Sequence, residues 1–180
     1  MKILVASDIH GRIGAVKKLE DVIRAFSPDK IFILGDLLYN GPRNGVPADY
    51  DPMAVANVLN KYAKKIVGIR GNCDSRIDEE ILKFKLQDGV VEHVNGFRCD
   101  LFHGDRITSD IVHASRGDIL IFGHTHVLSL RKADGLIYLN PGSVSFPKED
   151  NPASYATIDE KSIEIKNLED GTVITSLLLR

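Results

Sequence analysis

Five short segments of the chain close apolar runs with side chains that can hold a metal ion. They are Asp8-Ile9-His10, Gly35-Asp36, Gly71-Asn72, His103-Gly104 and Gly123-His124-Thr125-His126. Together they offer carboxylate, amide oxygen and imidazole donors. That mixture suits a cluster of divalent first-row ions better than a structural zinc, which would more often show closely spaced cysteines. Asp8/His10 and His124/His126 also have the two-residue spacing at which side chains on an extended segment or turn can grip one ion. Taken singly, each segment reads more simply as a turn. Asp8 ahead of Gly11 could cap a helix, and a Gly-His-x-His could hold one packed histidine. Five such segments, each at an expected strand end, outweigh that reading.

Hydrophobic patterning supplies the elements that must carry these residues. Residues 2–7 (KILVAS), 30–34 (KIFIL) and 66–69 are apolar runs of strand length, of the kind buried on both faces. Between them, Ala15, Leu19, Val22, Ile23 and Phe26 fall at helical spacing and Ser27-Pro28 ends the helix. Val55, Val58, Leu59 and Tyr62 mark a second helix starting near Pro52. Strand, helix, strand, helix, strand predicts parallel strands joined by right-handed crossovers. Asp8, Asp36 and Asn72 then lie just past three carboxyl ends, where open α/β sheets bind ligands.

The second half is β-rich. Residues 90–94 and 97–102 flank Asn95-Gly96 as a hairpin, residues 118–122 form another buried strand, and residues 127–131 and 136–139 flank a turn at Ala133-Asp134-Gly135. Residues 154–158, 162–168 and 172–179 read as an antiparallel meander. His113 falls in a stretch expected to be helical. The overall expectation is two sheets, with helices concentrated in the first half.

Composition bounds the rest. A chain of 180 residues, 43% hydrophobic and 27% charged, fits one globular domain over 1–180 with a sizeable core. A net charge of −2 gives no general attraction to nucleic acid or an anionic membrane. No apolar run approaches the ~20 residues of a membrane span, and residues 1–6 are too short for a secretory signal. Cys73 and Cys99 are isolated, so a reducing cytoplasm is the expected setting.

The five segments resemble the calcineurin-like metallophosphoesterase superfamily, whose pattern is D-x-H, G-D, G-N-[H/C]-[D/E], H-G and G-H-x-H. Within it the chain is similar to the YfcE-type phosphodiesterases. The shared stretches include Ser7-Asp8-Ile9-His10-Gly11, Gly41-Pro42-Arg43-Asn44, Arg70-Gly71-Asn72-Cys73-Asp74, Asn140-Pro141-Gly142-Ser143-Val144-Ser145 and Asn151-Pro152-Ala153-Ser154-Tyr155.

The resemblance implies an α/β fold, a four-layer α-β-β-α sandwich of two mixed β-sheets flanked by helices. It implies two divalent ions, Mn²⁺ by analogy, although the donors would also accept Fe, Co, Ni or Zn. Asp8, His10 and His126 would hold one ion, Asn72, His103 and His124 the other, and Asp36 would bridge them. Metals ~3.5–4 Å apart need such a shared anionic ligand, and a hydroxide between them would attack phosphorus in line. Asp36, Asn72 and Arg43 are the implied catalytic residues, with Arg43 pairing a non-bridging phosphate oxygen. For Arg43 the plain alternative is a surface arginine in a turn.

Two departures from the pattern matter. Where phosphomonoesterases typically carry a histidine after the asparagine, as a candidate general acid, this chain has Cys73, a poorer acid at neutral pH. That tilts the reading towards diesters and leaves Asp74 to tie down its loop. Many relatives read H-G-H where this chain has His103-Gly104-Asp105, which leaves Asp105 as a replacement ligand, a solvent-facing residue or, the preferred reading, an acceptor behind a ligand. Asn140-Pro141-Gly142-Ser143 reads as loop architecture under the site, and His93 and His113 as ordinary side chains. The expected function is a metal-dependent phosphodiesterase acting on a small substrate, without extended nucleic acid or membrane, and with a homo-oligomer left open. The alternatives are a phosphomonoesterase of the same superfamily and a non-catalytic protein-interaction scaffold.

Overall fold

The computed structural model describes residues 1–106 and 113–179. β1 (Ile3–Ala6), β2 (Lys30–Ile33) and β3 (Ile66–Ile69) run parallel, with α1 (Ile13–Phe26) and α2 (Pro52–Asn60) as the crossovers. Every residue of β1 is buried, and the faces alternate. Leu4 and Ala6 pack with Val16, Leu19 and Val55 beneath the helices, whereas Ile3 and Val5 join Phe32, Leu34 and Ile69 on the other face. A strand with two apolar faces requires a layer on each side, and that second layer is another sheet.

The larger sheet has seven strands in the order β12-β11-β10-β1-β2-β3-β4. Its additions are β4 (Leu86–Gln87), parallel to β3, and the meander β10 (Ser154–Ile158), β11 (Ser162–Asn167) and β12 (Val173–Leu178), joined antiparallel to β1 through β10. The smaller sheet runs β5-β6-β7-β9-β8, formed by β5 (Gly89–Val94), β6 (Phe97–Phe102), β7 (Ile119–Ile121), β8 (Ser129–Ala133) and β9 (Leu136–Asn140). Its central strands are parallel and its outer two antiparallel. Both sheets are therefore mixed, as expected. Cys99, Leu101, Ile119, Ile121, Ile137 and Leu139 meet Ile3, Val5 and Phe32 in the layer between them. Each such fully buried aliphatic side chain contributes roughly 1.5–3 kcal/mol.

Local chemistry sets the element ends. Ser27 takes a left-handed conformation (φ 52°), donates its N–H to Ile23 O and precedes Pro28, which ends α1. Asp51 caps α2 by accepting the Ala54 N–H at 2.9 Å, with Pro52 in the first turn. The hairpin between β5 and β6 turns on Asn95 and Gly96, both at positive φ.

Several boundaries differ from expectation. α2 stops at Asn60 and Tyr62 lies in the turns beyond it, while β8 sits two residues later than expected and ends at the Asp134-Gly135 turn. The sequence patterning also missed α3 (Asp78–Ile81) and β4. One turn of helix and two residues of strand are too short for either periodicity to register. His113 is expected in a helical stretch; residues 107–112 before it lie outside the described residues, and 113–115 are irregular backbone. Among the described residues, the helices gather on the larger sheet. None of them is long and apolar enough to cross a membrane.

Candidate metal centre

The loops after β1 and β2 run side by side. The N–H groups of Asp8, His10 and Gly11 donate to the carbonyls of Gly35, Asp36 and Leu37 at 3.1, 2.8 and 2.9 Å. This lateral pairing needs unusual backbone. Asp8 (φ 56°), His10 (φ 49°) and Asp36 (φ 55°) all adopt the left-handed conformation, and so do His124 (φ 65°) and His126 (φ 62°). Such conformations cost a non-glycine residue about 1–2 kcal/mol, and they gather at functional sites.

The loop after β3 is fixed by Asp74. Its carboxylate accepts the N–H groups of Asp36, Leu37 and Gly71, each at 2.8 Å, as expected of a loop tie. Burial pushes that carboxyl up to about 6, against the pull of the three N–H donors. The Cys73 N–H donates to Asp36 Oδ1 at 2.8 Å. A Cβ on Gly71 would collide with the Asp36 carboxylate and backbone, and one on Gly35 would meet His103 Nδ1 at 2.6 Å. Glycines stand here because two loops and a ring share the space.

Three histidines are oriented alike. Ring Nδ1 lies 2.9 Å from Tyr39 O in His10, 2.6 Å from Leu34 O in His103 and 2.7 Å from Phe146 O in His126. A carbonyl can only accept, so each Nδ1 carries hydrogen and each Nε2 is left to face the centre. His10 Nε2 and His126 Nε2 are 3.3 Å apart. His103 Nε2 lies 3.1 Å from Asn72 Oδ1 and 3.3 Å from His124 Nδ1. Lone pairs at such distances repel unless something positive, a proton or a metal ion, sits among them.

The carboxylates complete the cluster. Asp8 Oδ2 accepts the His124 N–H at 3.1 Å, while Asp8 Oδ1 is buried with no hydrogen-bond partner among the described residues. His126 Nε2 approaches that orphan oxygen to 3.2 Å. Asp36 lies between the two groups of histidines, with Oδ2 3.6 Å from His10 Nε2 and Oδ1 3.6 Å from His103 Nε2. Asp8, His10 and His126, and likewise Asp8, Asp36 and His103, bring ligand atoms within 4.8 Å of one another. An orphaned buried carboxylate oxygen facing bare imidazoles fits divalent cations.

Electrostatics agree. Burial would raise Asp8, yet the nearby His126 holds its carboxyl below the ordinary value. Burial would lower His126, yet Asp8 raises it, with Lys148 working in the opposite direction. Burial lowers His10, and burial together with His103 lowers His124, which favours the neutral, ligating imidazole. Cys73 is pushed up to about 12, first by burial and then by Asp36.

All seven expected metal ligands thus converge on one end of the two sheets, His10, Asp36, Asn72, His124 and His126 lining a cleft of about 520 Å³ and Asp8 and His103 buried beside them. Arg43 and Asn44 line it too, in a loop held by Asn40. The Asn40 side chain donates to the carbonyls of Asn44 and Gly45, and the Asn44 side chain donates back to Asn40 O at 2.7 Å. Arg43 itself is exposed.

The 140–146 loop is scaffolding, as expected. Ser143 Oγ and Ser145 Oγ donate to Asp8 O and Ile9 O at 2.8 and 2.7 Å, and Asn140 Nδ2 donates to Gly123 O. Asp105 pairs with Arg106 at 3.6 Å, and its charge favours a proton on His124, although it makes no hydrogen bond to a candidate ligand among the described residues. His93 and His113 are exposed and remote from the cluster. Lys148 lines the cleft and sequence reasoning missed it, because one lysine in an exposed turn has no spacing signal.

A second recess, about 560 Å³, lies between α1 and the β10–β11 pair. It contains Lys18, Asp21, Lys166 and Glu169, but none of the metal-competent groups found among the described residues.

Comparison with known proteins gives the cluster its context. A family profile described as the calcineurin-like phosphoesterase superfamily domain matches residues 1–162. The chain is 36% identical over 184 residues to the phosphodiesterase YfcE of Escherichia coli K12, covering 99% of this chain and 98% of that protein. It is 28% identical to a probable metallophosphoesterase of Mycoplasma pneumoniae, covering 95% of each. The solved structure of E. coli YfcE, described as a phosphoesterase, superposes with a TM-score of 0.95 at 35% identity over 100% of both chains. Vps29 of Entamoeba histolytica shares the fold at a TM-score of 0.67 and 23% identity, with 100% of each chain covered. The chain belongs to the calcineurin-like phosphoesterase superfamily.

Proposed function

We propose that this chain is a metal-dependent phosphodiesterase working at a dinuclear site, in a reducing compartment such as the cytoplasm that suits its two free cysteines. The observation that carries this reading is Asp36 standing between two groups of histidines, one oxygen towards each. Asp8, His10 and His126 would hold one ion, Asn72, His103 and His124 the other, and Asp36 both. Mn²⁺ is the expected occupant by family analogy. The ions would supply Lewis acidity towards the phosphoryl oxygens and an acidified water as nucleophile.

The chain's own residues do the rest. The Nδ1–H bonds to Tyr39, Leu34 and Phe146 fix the three rings before substrate arrives. Asp74 holds the Asp36 backbone and the loop bearing Asn72. Arg43 offers a planar, permanently charged donor to a non-bridging oxygen from the cleft wall. The similarity to a named phosphodiesterase over the whole chain supports the diester, and so does Cys73. Burial and Asp36 push that thiol up to about 12 in the metal-free protein, which makes it a poorer general acid than an imidazolium.

The test is hydrolysis of bis(p-nitrophenyl) phosphate against p-nitrophenyl phosphate by metal-free protein reloaded with Mn²⁺, for wild type and Asp36→Ala. The reading expects metal-dependent diester hydrolysis that exceeds monoester hydrolysis and is lost in the variant. Full activity in folded Asp36→Ala would end the dinuclear account. Inactivity of the loaded wild type on both esters would favour the scaffold alternative.

A further inference from the structure

Lys148 is exposed, yet it is held unusually firmly for a surface lysine. Its backbone N–H donates to His126 O at 3.1 Å, and its own carbonyl accepts both the side-chain and main-chain N–H of Asn151, at 2.7 and 3.2 Å. The turn that allows this puts two consecutive non-glycine residues, Glu149 (φ 57°) and Asp150 (φ 58°), in the left-handed conformation. The ligand-bearing loops carry the same strain, which a loop without a positional task has no reason to keep. The turn fixes the Lys148 backbone to a candidate metal ligand and sets its side chain on the cleft wall.

Lys30, Lys61 and Lys166 each have a glutamate partner, whereas neither Lys148 nor Arg43 has an ion-pair partner among the described residues. The cleft thus carries two uncommitted cations besides the ions its carboxylates and imidazoles would hold. A phosphodiester has one negative charge at the reacting group, and Arg43 with the metal site suffices for it. The ammonium of Lys148 is left over, a compact charge with three donors suited to a phosphate.

We propose that Lys148 is a specificity-determining residue that binds a second phosphate group on the substrate, so that the chain acts on diesters in which one alcohol component is itself phosphorylated. The proposal rests on the phosphodiesterase reading above and names its substrate class.

The test compares the dinucleotide TpT with its 5′-phosphorylated form, pTpT, for wild type, Lys148→Ala and Lys148→Arg. In wild type, kcat/KM for pTpT exceeds that for TpT by about tenfold, the order expected of one charge-assisted hydrogen bond, with the difference carried in KM. The ratio collapses towards one in Lys148→Ala and is largely kept in Lys148→Arg. A ratio near one in wild type, or the same ratio in Lys148→Ala, overturns the proposal. If the wild type cleaves neither dinucleotide, the phosphodiesterase reading is still decided by bis(p-nitrophenyl) phosphate, and equilibrium titration decides the role of Lys148. Thymidine 3′,5′-bisphosphate then binds wild type more tightly than thymidine 5′-monophosphate, a preference absent from Lys148→Ala. Equal affinities in wild type overturn the proposal.

Discussion

Asp36 presents its two carboxylate oxygens to different histidines, Oδ2 at 3.6 Å from His10 Nε2 and Oδ1 at 3.6 Å from His103 Nε2. Asp36→Asn keeps the shape of that side chain and removes its charge. Mn²⁺ bound per chain is expected to fall from two to one or none, and kcat on an aryl diester by at least about a hundredfold. The melting temperature of the metal-free variant is expected to hold, because a buried charge close to other carboxylates is gone. Elemental analysis of the loaded protein together with steady-state kinetics checks this. Two ions retained in the variant would show that the carboxylate charge is not needed to hold the pair.

Metal affinity is expected to depend on pH through His126. Asp8 raises the affinity of His126 for a proton in the metal-free protein, and an incoming ion must displace that proton. Asp8, held below the ordinary carboxylate value, stays ionised over the same range. Binding is therefore strongest above the raised His126 value and weakens by about one logarithmic unit per pH unit below it. The ion pair makes the opposite contribution to the metal-free fold. Its stabilisation is full below the ordinary histidine value near 6.5 and is lost as pH rises through the raised one. Melting temperatures from pH 7 to 8, above the range in which the lowered His10 and His124 titrate, should fall without metal and rise with Mn²⁺. Parallel curves would contradict this assignment.

Cys73 is a test of leaving-group chemistry. With its thiol pushed up to about 12, it does not form a thiolate near neutral pH and is a poor proton donor. Cys73→His puts a group with an ordinary value near 6.5 beside Asp36. Hydrolysis of an alkyl monoester such as glycerol phosphate, relative to the corresponding diester, should rise by about tenfold or more, with activity falling as pH rises past the new histidine's value. An unchanged ester preference would remove the cysteine from the account of specificity.

Asp74→Ala strands three backbone N–H groups in a buried loop. At about 1 kcal/mol or more for each unsatisfied donor, the cost is roughly 3 kcal/mol. Urea unfolding of the metal-free protein would read this as a lower midpoint. A loss below about 1 kcal/mol would mean that water replaces the carboxylate there.

The parallel half of the fold was legible because β1, β2 and β3 are apolar on both faces and α1 and α2 have the periodicity of buried helices. The attachment of β10 beside β1 was not, since it joins residues more than 150 positions apart through main-chain bonds that leave no mark on composition. The ligands were legible through their residue types, at the ends of strands that could be recognised. Lys148 was hidden, because its placement depends on a bond to His126 O and on the turn at Glu149-Asp150. The role of Asp105 was not legible, because an acid next to a ligand in sequence can serve that ligand or a neighbouring cation, here His124 or Arg106.

The left-handed backbone at Asp8, His10, Asp36, His124 and His126 narrows the alphabet of this site beyond what coordination chemistry requires. Glutamate could replace aspartate as a donor, and cysteine could replace histidine, but neither is among the side chains that enter that conformation readily. Aspartate, asparagine and histidine are. The residues that ligate well are also those the chain can bend around. A motif of D-x-H, G-D and G-H-x-H is thus a record of torsion angles as much as of metals, and transplanting the donors without these loops would carry over only half of the information.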